Sequence, residues 1–337
     1  MLAACEVRRT AAPESTRQLR VAGVRRIVDQ PALSPPAWSP DGSRFAFTAE
    51  DGLYVGAAGS GAPRKIAVTD MAASVSWSRA LDLLAIVDRG TVWTIRANGS
   101  ERRRLDLPGF VTDAVWAPGG DRLAVTLRRP SSRGPVFELW LTSRTGGFRR
   151  MIGRAPAGLT MRNVQWLPNS LYLLYGLARP AEQAVREVWQ VRVAYPDRQR
   201  IPIPGPATMV LMAPSGRATA YVITEGWAGG AGRVVVSRPD GTGRFAVTEE
   251  QGRYSGLAWS PQGDKLAFAE IRDARAEIWV ADAQAGGRMA VHNYAIELYT
   301  PRTALSIAWS PDGRRLLFGT NSGMAVGPIW MATFERR

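Results

Sequence analysis

The chain of 337 residues contains a single cysteine, Cys5, and a single histidine, His292. These two residues cannot form an intramolecular disulfide, complete a zinc-finger ligand set or place two histidines on one metal. Only Lys65 and Lys265 are lysines among the 43 basic residues, so the formal net charge of +14 comes almost entirely from arginine. No run reaches the roughly 18 apolar residues that a membrane-spanning helix needs. We therefore exclude disulfide scaffolds and zinc modules, and we expect no metal and no cofactor.

The sequence also lacks the motifs that commonly carry catalysis. It contains no Gly-x-Ser-x-Gly elbow, phosphate-binding loop, dinucleotide fingerprint or calcium loop. His292 is predicted to be structural or superficial, and the spacing of Glu249-Glu250 does not recommend acid–base catalysis. Asp41 and Asp312 lie in turn sequences, where they are predicted to cap backbone amides. We expect no catalytic residue; the alternative is a hydrolase or lyase that uses acidic residues in a central pore.

Twelve tryptophans mark an internal repeat. The string Trp-Ser-Pro-Asp-Gly occurs at 38–42 and 309–313, with a near copy at 259–263 and looser copies after other tryptophans. A seventh copy, around Ala213, keeps the Pro-x-Gly turn without the tryptophan. The copies recur about every 45 residues, a period typical of propellers. Their first-strand anchors are Trp38, Trp77, Trp116, Trp166, Ala213, Trp259 and Trp309.

Each period contains four short β-type runs separated by turn residues. In Ser39-Pro40-Asp41-Gly42, proline presets φ for a type I turn and glycine takes the left-handed position after it. The turn therefore predicts a hairpin between the first two runs. Eleven of the twelve tryptophans fall on the first or third run, where large flat side chains suit the packing of neighbouring sheets. The predicted fold is an all-β propeller of four-stranded antiparallel blades.

Seven anchors predict seven blades, although the weak fifth repeat leaves six blades plus an insertion as the alternative. The last repeat supplies three strands before the chain ends. Residues 22–28 resemble the basic fourth strands of the other repeats, so they are predicted to pair with the last blade and close the ring. Residues 1–20 are predicted to form a flexible tether, and residues 21–337 a single propeller domain.

The string Trp-Ser-Pro-Asp-Gly-x-x-Phe/Leu-Ala/Leu-Phe, with Ile-Trp-Val-Ala-Asp at 278–282, resembles the WD40-like repeats of TolB-type propellers. The resemblance covers about residues 22–334. It is specific for the fold and poor for function, because similar propellers occur in periplasmic binding proteins, LpqB-type lipoproteins and regulatory domains of prolyl oligopeptidase-like enzymes. The chain lacks the separate N-terminal domain of TolB and any hydrolase domain. The resemblance implies a role in protein contacts at the cell envelope.

The first residues contain a candidate lipid attachment site. Leu2-Ala3-Ala4-Cys5 fits a lipobox, in which small residues precede the thiol that receives a diacylglyceryl group. A polar segment, 6–20, follows it. Four residues cannot hold the basic and apolar regions of a signal peptide, so we expect the true start to lie upstream. The predicted location is extracytoplasmic and membrane-anchored; the alternative, if Met1 is the true start, is cytoplasmic.

The arginines recur at the starts of predicted fourth strands. Charges on such edges block edge-to-edge pairing, which is a sufficient structural reason for them. A functional interpretation is an arginine-rich rim that contacts an anionic membrane surface or an acidic cell-wall polymer. Nucleic-acid binding is not expected, since no recognition helix or RNA-binding fingerprint is present. The basic positions are Arg25-Arg26, Arg64-Lys65, Arg102-Arg103-Arg104, Arg149-Arg150, Arg198, Arg200 and Arg244.

Taken together, these features predict a non-enzymatic scaffold that binds envelope protein partners. A propeller that senses a glycan or small ligand in its pore is the other alternative to an enzyme. Trp227, the one tryptophan outside the repeat, lies among glycines and is a candidate contact residue.

Overall fold

The computed structural model describes residues 19–70, 72, 74–226, 230–284, 287–296, 305–320 and 327–336. Within them the regular secondary structure is entirely β-strand, and no helix is long and apolar enough to span a membrane. The strands in chain order are β1 (Leu19–Ala32), β2 (Ala37–Trp38), β3 (Arg44–Ala49), β4 (Gly52–Ala57), β5 (Arg64–Ala67), β6 (Ser74–Trp77), β7 (Leu83–Asp88), β8 (Thr91–Arg96), β9 (Arg103–Leu105), β10 (Phe110–Trp116), β11 (Arg122–Arg129), β12 (Val136–Ser143), β13 (Arg149–Arg154), β14 (Thr160–Trp166), β15 (Tyr172–Ala178), β16 (Glu187–Arg192), β17 (Arg198–Ile201), β18 (Ala207–Met212), β19 (Thr219–Thr224), β20 (Gly232–Ser237), β21 (Phe245–Ala246), β22 (Arg253–Trp259), β23 (Lys265–Arg272), β24 (Arg275–Asp282), β25 (Arg288–Ala295), β26 (Ser306–Trp309), β27 (Arg315–Gly319) and β28 (Gly327–Arg336).

These strands form seven four-stranded antiparallel sheets, which are the blades of a propeller. Blades 1 to 6 each use four consecutive strands, from β2–β5 in blade 1 to β22–β25 in blade 6. Blade 7 uses β26, β27 and β28, and takes β1 as its outer strand. The predicted seven blades and the closure by an N-terminal strand are confirmed. The six-bladed alternative is wrong, because the fifth repeat forms a complete sheet without its tryptophan.

The closing strand is longer than the sequence indicated. Residues 22–28 do pair with the last blade, but β1 begins at Leu19, opposite Arg336, and runs to Ala32. The long outer strand joins the two ends of the ring by backbone hydrogen bonds, and it covers the edge of β28.

Arg25 and Arg26 were predicted to begin the outer strand, and this prediction is wrong because they lie in its middle. Their side chains make different contacts. The Arg25 guanidinium reaches blade 1 and donates to the carbonyl oxygen of Ala58 at 2.7 Å. Arg26 pairs with Asp29 at 2.8 Å. Arg25 therefore adds a side-chain link across the seam where the ring closes.

The seven inner strands, which come first in each blade, contact one another around a central channel. Every inner strand runs the same way through the ring, so the propeller has two distinct faces. The turn face carries the turns that follow the inner strands, such as 39–42 and 310–313. The entry face carries the points where the inner strands begin, such as Ala37 and Ser306. Because neighbouring strands are antiparallel, each fourth strand also begins on the turn face.

The first turn shows how the repeat motif forms its hairpin. Gly42 has a φ of 67°, as the sequence predicts, and its amide donates to the carbonyl oxygen of Ser39 at 2.9 Å. The Asp41 carboxylate accepts from the Ser39 hydroxyl at 2.5 Å and from the Ser43 amide at 3.0 Å. Hydrogen bonds from Ser39 and Ser43 lower the pKa of Asp41 to about 2. Asp41 therefore caps the turn.

The apolar core lies between the blades rather than inside one sheet. Trp116, for example, packs in one cluster with Ala85 of blade 2 and Leu123 of its own blade. Trp166 is half-buried, and the other anchor tryptophans are buried. Those five are Trp38, Trp77, Trp116, Trp259 and Trp309.

Arginines of the outer strands cover the aromatic side chains of the third strands. The Arg102 guanidinium lies 4.4 Å from the ring centroid of Trp93, and Arg198 and Arg288 stack similarly on Trp189 and Trp279. A planar guanidinium stacks on an indole better than an ammonium does. Stacking therefore gives these three arginines a structural role.

Candidate functional site at the central channel

The channel opens on the entry face into a cavity of about 500 Å³. We call this cavity the entry mouth. Its wall combines two arginines with hydroxyl and apolar side chains, a composition suited to an anionic ligand with an apolar body. The lining residues used below are Arg162, Thr208, Met209, Arg253, Tyr254 and Leu257.

Charged residues are rare on the inner strands that surround the channel. Along the whole of these seven strands the charged positions are Asp113, Arg162 and Arg253. The other positions are mainly apolar or small because the inner strands pack tightly around the ring axis. Three charges on strands that otherwise avoid charge are a stronger functional signal than the many arginines at the rim.

Arg162 stands at the start of β14 and is half-buried in the entry mouth. Its guanidinium makes two long contacts with backbone carbonyl oxygens, 3.4 Å to Gln183 and 3.5 Å to Pro180. Burial lowers the pKa of Arg162, and the nearby carboxylate of Glu182 opposes this change. The guanidinium remains charged, because arginine stays protonated in proteins, and its donors are weakly occupied.

Asp113 lies on β10, next to an irregularity in the pairing with β11. Its carboxylate accepts a hydrogen bond from the amide of Ala114 at 2.9 Å. The side chain is half-buried by surface area, but protein encloses it around the narrow channel. Desolvation therefore raises the pKa of Asp113 to about 6, although the hydrogen bond from Ala114 acts in the opposite direction. Asp113 is poised to change charge in the mildly acidic range.

The channel opens on the turn face into a second cavity, of about 520 Å³, which we call the turn mouth. Anchor tryptophans, turn prolines and aliphatic side chains form most of its wall, and Arg79 is among the lining residues. Several indole N–H groups donate to the inner strand of the preceding blade: Trp166 to the carbonyl of Val115 at 3.0 Å, and Trp259 to that of Leu211 at 2.9 Å. Trp166 and Trp259 are thus hydrogen-bonded across the seams between blades, whereas the indole N–H groups of Trp116 and Trp309 have no hydrogen-bond partner among the described residues.

Blade 5 lacks the anchor tryptophan, and a glutamine of blade 4 replaces its hydrogen bond. Gln165 donates from Nε2 to the carbonyl of Val210 at 3.0 Å and accepts from the amide of Met212 at 3.1 Å. The predicted anchor Ala213 is wrong by one residue, because Met212 ends β18 as the tryptophans end the other inner strands, and its side chain is buried. The Gln165 side chain of blade 4 therefore links blades 4 and 5 by two hydrogen bonds, whereas at other seams the indole of the following blade makes the link.

The remaining candidate residues from the sequence do not meet at either mouth. Glu249 and Glu250 are exposed in the segment before β22, and Glu250 lies 3.6 Å from Arg272. Cys5 and Trp227 lie outside the described residues. Across the described ranges, no group of three or more histidine, cysteine, aspartate or glutamate side chains could hold a metal ion.

His292 lies on the outer strand of blade 6, away from the channel. Its ring packs against Trp330 of blade 7 with centroids 4.7 Å apart, and against Tyr294 and Phe318 at 5.9 Å each. Burial lowers the pKa of His292. This environment favours the neutral imidazole and makes His292 part of the seam between blades 6 and 7.

The charged residues of the channel were not predicted from the sequence. Asp113, Arg162 and Arg253 lack a local motif, and in the sequence they resemble other polar residues near strand ends. One signal was available: each lies on a predicted first strand, where most repeats have apolar or small residues. Aligning the seven repeats by their anchors would have exposed these positions.

Comparisons with known proteins define the fold. No protein-family model and no curated protein matches the chain. An oligogalacturonate lyase solved in complex with manganese is similar, with a TM-score of 0.73 and 13% identity over 94% of this chain and 95% of that one. A protein described as a TolB, from Agrobacterium tumefaciens, has a TM-score of 0.54 and 16% identity over 92% and 91%. The Cps50 (Swd1) β-propeller domain of Myceliophteria thermophila has a TM-score of 0.62 and 15% identity over 94% and 100%.

At these identities the similarity establishes the fold alone. The class of protein is a seven-bladed β-propeller with a TolB-like and WD40-like fold. Its neighbours differ in kind and include an oligogalacturonate lyase, a protein described as a TolB and a β-propeller domain, so the residues of this chain have to decide its function.

Proposed function

We propose that this chain is a non-enzymatic propeller that binds a protein partner at the entry mouth. The observation that carries the proposal is the charge composition of the inner strands, where Asp113 is the single carboxylate beside two arginines. Glycoside hydrolysis by acid–base catalysis commonly uses two carboxyl groups about 5–10 Å apart, and these strands supply one. A pair of guanidinium groups with apolar walls suits a partner segment that presents a carboxylate.

The proposed location is the cell envelope, with Cys5 as the lipid attachment site of an LpqB-like lipoprotein. The Leu2-Ala3-Ala4-Cys5 string, the polar segment after it and the TolB-like fold support this proposal. The test is expression of the gene in its native host, comparing wild type with Cys5→Ser. Detergent-phase partitioning and the mass shift of the N-terminal peptide should disappear in the variant. A wild-type protein in the soluble cytoplasmic fraction would contradict the proposal.

The partner is sought by crosslinking from the entry mouth. A photoreactive amino acid at Thr208, which lines the cavity, should label one envelope protein in membrane fractions. The Arg162→Gln/Arg253→Gln variant should lose this product. The control Arg133→Gln/Arg233→Gln removes the same charge from exposed entry-face positions outside the mouth and should keep it. An identical crosslinking pattern in all three proteins would overturn the proposal.

A second candidate is recognition of an acidic oligosaccharide at the same mouth. The shared fold with an oligogalacturonate lyase and the pair Arg162 and Arg253 favour it, because uronate carboxylates bind guanidinium groups. Thermal stabilisation by oligogalacturonate, lost in the double variant, would support glycan binding. Appearance of unsaturated product in the same mixture with manganese would show lyase activity, and would contradict the non-enzymatic proposal.

A further inference from the structure

We infer that the turn face docks on anionic phospholipid, through an arginine cleft between blades 2 and 3. This inference rests on the proposed envelope location and adds which face meets the bilayer. The cleft has a volume of about 330 Å³ and lies between the β8–β9 segment of blade 2 and the turn after β12 of blade 3. The lining residues that matter are Arg96, Glu101, Arg102, Arg103, Arg144 and Thr145.

Two of the four arginines in the cleft are already engaged. Arg96 pairs with Glu101 at 2.6 Å, so this pair is neutral. Arg102 stacks on Trp93 and donates to the carbonyl of Val68 at 3.2 Å. The guanidinium of Arg102 keeps its positive charge, although its position is fixed by these contacts.

Arg103 and Arg144 provide the binding capacity of the cleft. Within the described part of the chain, neither side chain takes part in an ion pair, whereas other arginines of this face do: Arg44 pairs with Asp82 at 2.9 Å and Arg122 with Asp121 at 2.7 Å. A guanidinium presents a fork of donors that matches the oxygens of a phosphate. Two such groups in one cleft fit the phosphodiester of a lipid headgroup.

The cleft opens on a face that is basic around its rim. Each fourth strand begins on the turn face, and arginine occupies the start of several of them. The attraction of such a surface to an anionic leaflet is worth about 1 kcal/mol for each basic residue near the bilayer. These strand starts are Arg64, Arg103, Arg149, Arg198 and Arg288, of which Arg149 pairs with Asp106 at 3.2 Å and adds little net charge.

The covalent connection to the N-terminal segment lies on the same face. Leu19 pairs with Arg336 beyond the turn end of blade 7, so residues 1–18 join the ring there. An acyl chain on Cys5 would therefore draw the turn face toward the bilayer and leave the entry mouth facing away. The lipid anchor and the basic rim would then both face the bilayer, and the partner site would remain accessible on the opposite face.

The test uses the full chain with Cys5→Ser, so that no acyl chain contributes, and vesicles of phosphatidylcholine with or without about 30 mol% phosphatidylglycerol. Flotation should recover the protein with anionic vesicles only, and added salt should weaken the binding by screening. Loss of two basic groups in Arg103→Gln/Arg144→Gln should weaken partitioning about 10- to 30-fold.

Two comparisons keep the result interpretable. Arg133→Gln/Arg233→Gln, on the entry face, should change partitioning by less than about three-fold, because its charges lie on the far side of the ring. Arg103→Lys/Arg144→Lys should retain most of the binding, since it preserves both charges, and it replaces the glutamine variant if that one melts early. Absent binding to anionic vesicles, or equal loss in the two glutamine variants, would overturn the inference.

Failure here is distinguishable from failure of the proposed function. If the protein crosslinks a partner from the entry mouth but does not bind anionic vesicles, the partner proposal stands and the proposed docking face is wrong. Vesicle binding without a crosslinked partner would support the docking face and contradict the partner proposal.

Discussion

The two mouths of the channel differ in composition and in what their residues do. The turn mouth is lined mainly by tryptophans, prolines and aliphatic side chains, with the exposed Arg79 at its margin, and indole N–H groups such as that of Trp166 link one blade to the next. The entry mouth holds Arg162 and Arg253, and the contacts of Arg162 are long. One end of the same strands thus holds the ring together, and the other offers charge to a ligand.

This difference follows from where the repeat motif lies. The tryptophan and the turn come at the end of each inner strand, so they occupy the turn face in nearly every blade. The residues that begin the inner strands belong to no shared motif, and each blade supplies a different one. The unlike residues of the entry face are suited to recognising a ligand, whereas the repeated residues of the turn face are suited to packing one blade against the next.

The largest effect is expected at the turn mouth. Trp116→Ala removes a buried aromatic between blades 2 and 3, and it should lower the free energy of unfolding by about 3–5 kcal/mol. Denaturant titration would measure it, with Leu171→Ala, an exposed leucine, as the control. A loss under about 1 kcal/mol would mean that the tryptophans do not hold the seams.

A smaller loss is expected at the seam without an anchor tryptophan. Gln165→Ala leaves the carbonyl of Val210 and the amide of Met212 without their side-chain partner, which should cost about 1–3 kcal/mol. Gln190→Ala, at a half-buried glutamine on β16, should cost less than about 0.5 kcal/mol. An equal loss of stability in Gln165→Ala and Gln190→Ala would mean that Gln165 does not replace the hydrogen bond of the missing tryptophan at this seam.

Asp113 should change stability with pH in a direction opposite to that of a salt-bridged carboxylate. Its pKa is about 6 in the folded chain against 3.8 as the reference, so the unfolded chain ionises first as pH rises. Wild type should lose stability between about pH 4 and 6 and then level off. Asp113→Asn avoids this loss.

After allowance for water in the channel, we expect Asp113→Asn to gain about 1–2 kcal/mol at pH 7.5 and nothing near pH 4. Thermal melts across this range, with the exposed Glu225→Gln as control, would measure the difference. A gain that does not depend on pH would mean that desolvation of Asp113 is not its source.

The smallest effect on stability is expected at the entry mouth. Arg162→Gln breaks only two long contacts with carbonyl oxygens, so unfolding should change by less than about 0.5 kcal/mol. The same variant should lose the crosslink from position 208. A large loss of stability would place Arg162 among the structural residues and weaken the contrast between the mouths.

The fold was predictable from the sequence because its signals are local and repeated. Pro40 and Gly42 favour one hairpin turn, and similar turn residues recur in the other repeats. Residues 22–28 were recognisable as an outer strand by their likeness to the others. The assignment of Arg25 and Arg26 to the start of that strand failed, since the register of β1 depends on its pairing with β28 rather than on its own residues.

By itself the sequence predicted seven blades and their inner hairpin turns, because these depend on a local motif that recurs, and it predicted the closing strand by its likeness to the other fourth strands. Only the tertiary structure decided that Asp113, Arg162 and Arg253 belong to strands lining one channel and that Arg103 and Arg144 share one cleft. These residues come from different blades, and only closure of the ring brings their strands together. Desolvation of Asp113 likewise exists only once the neighbouring blades enclose it.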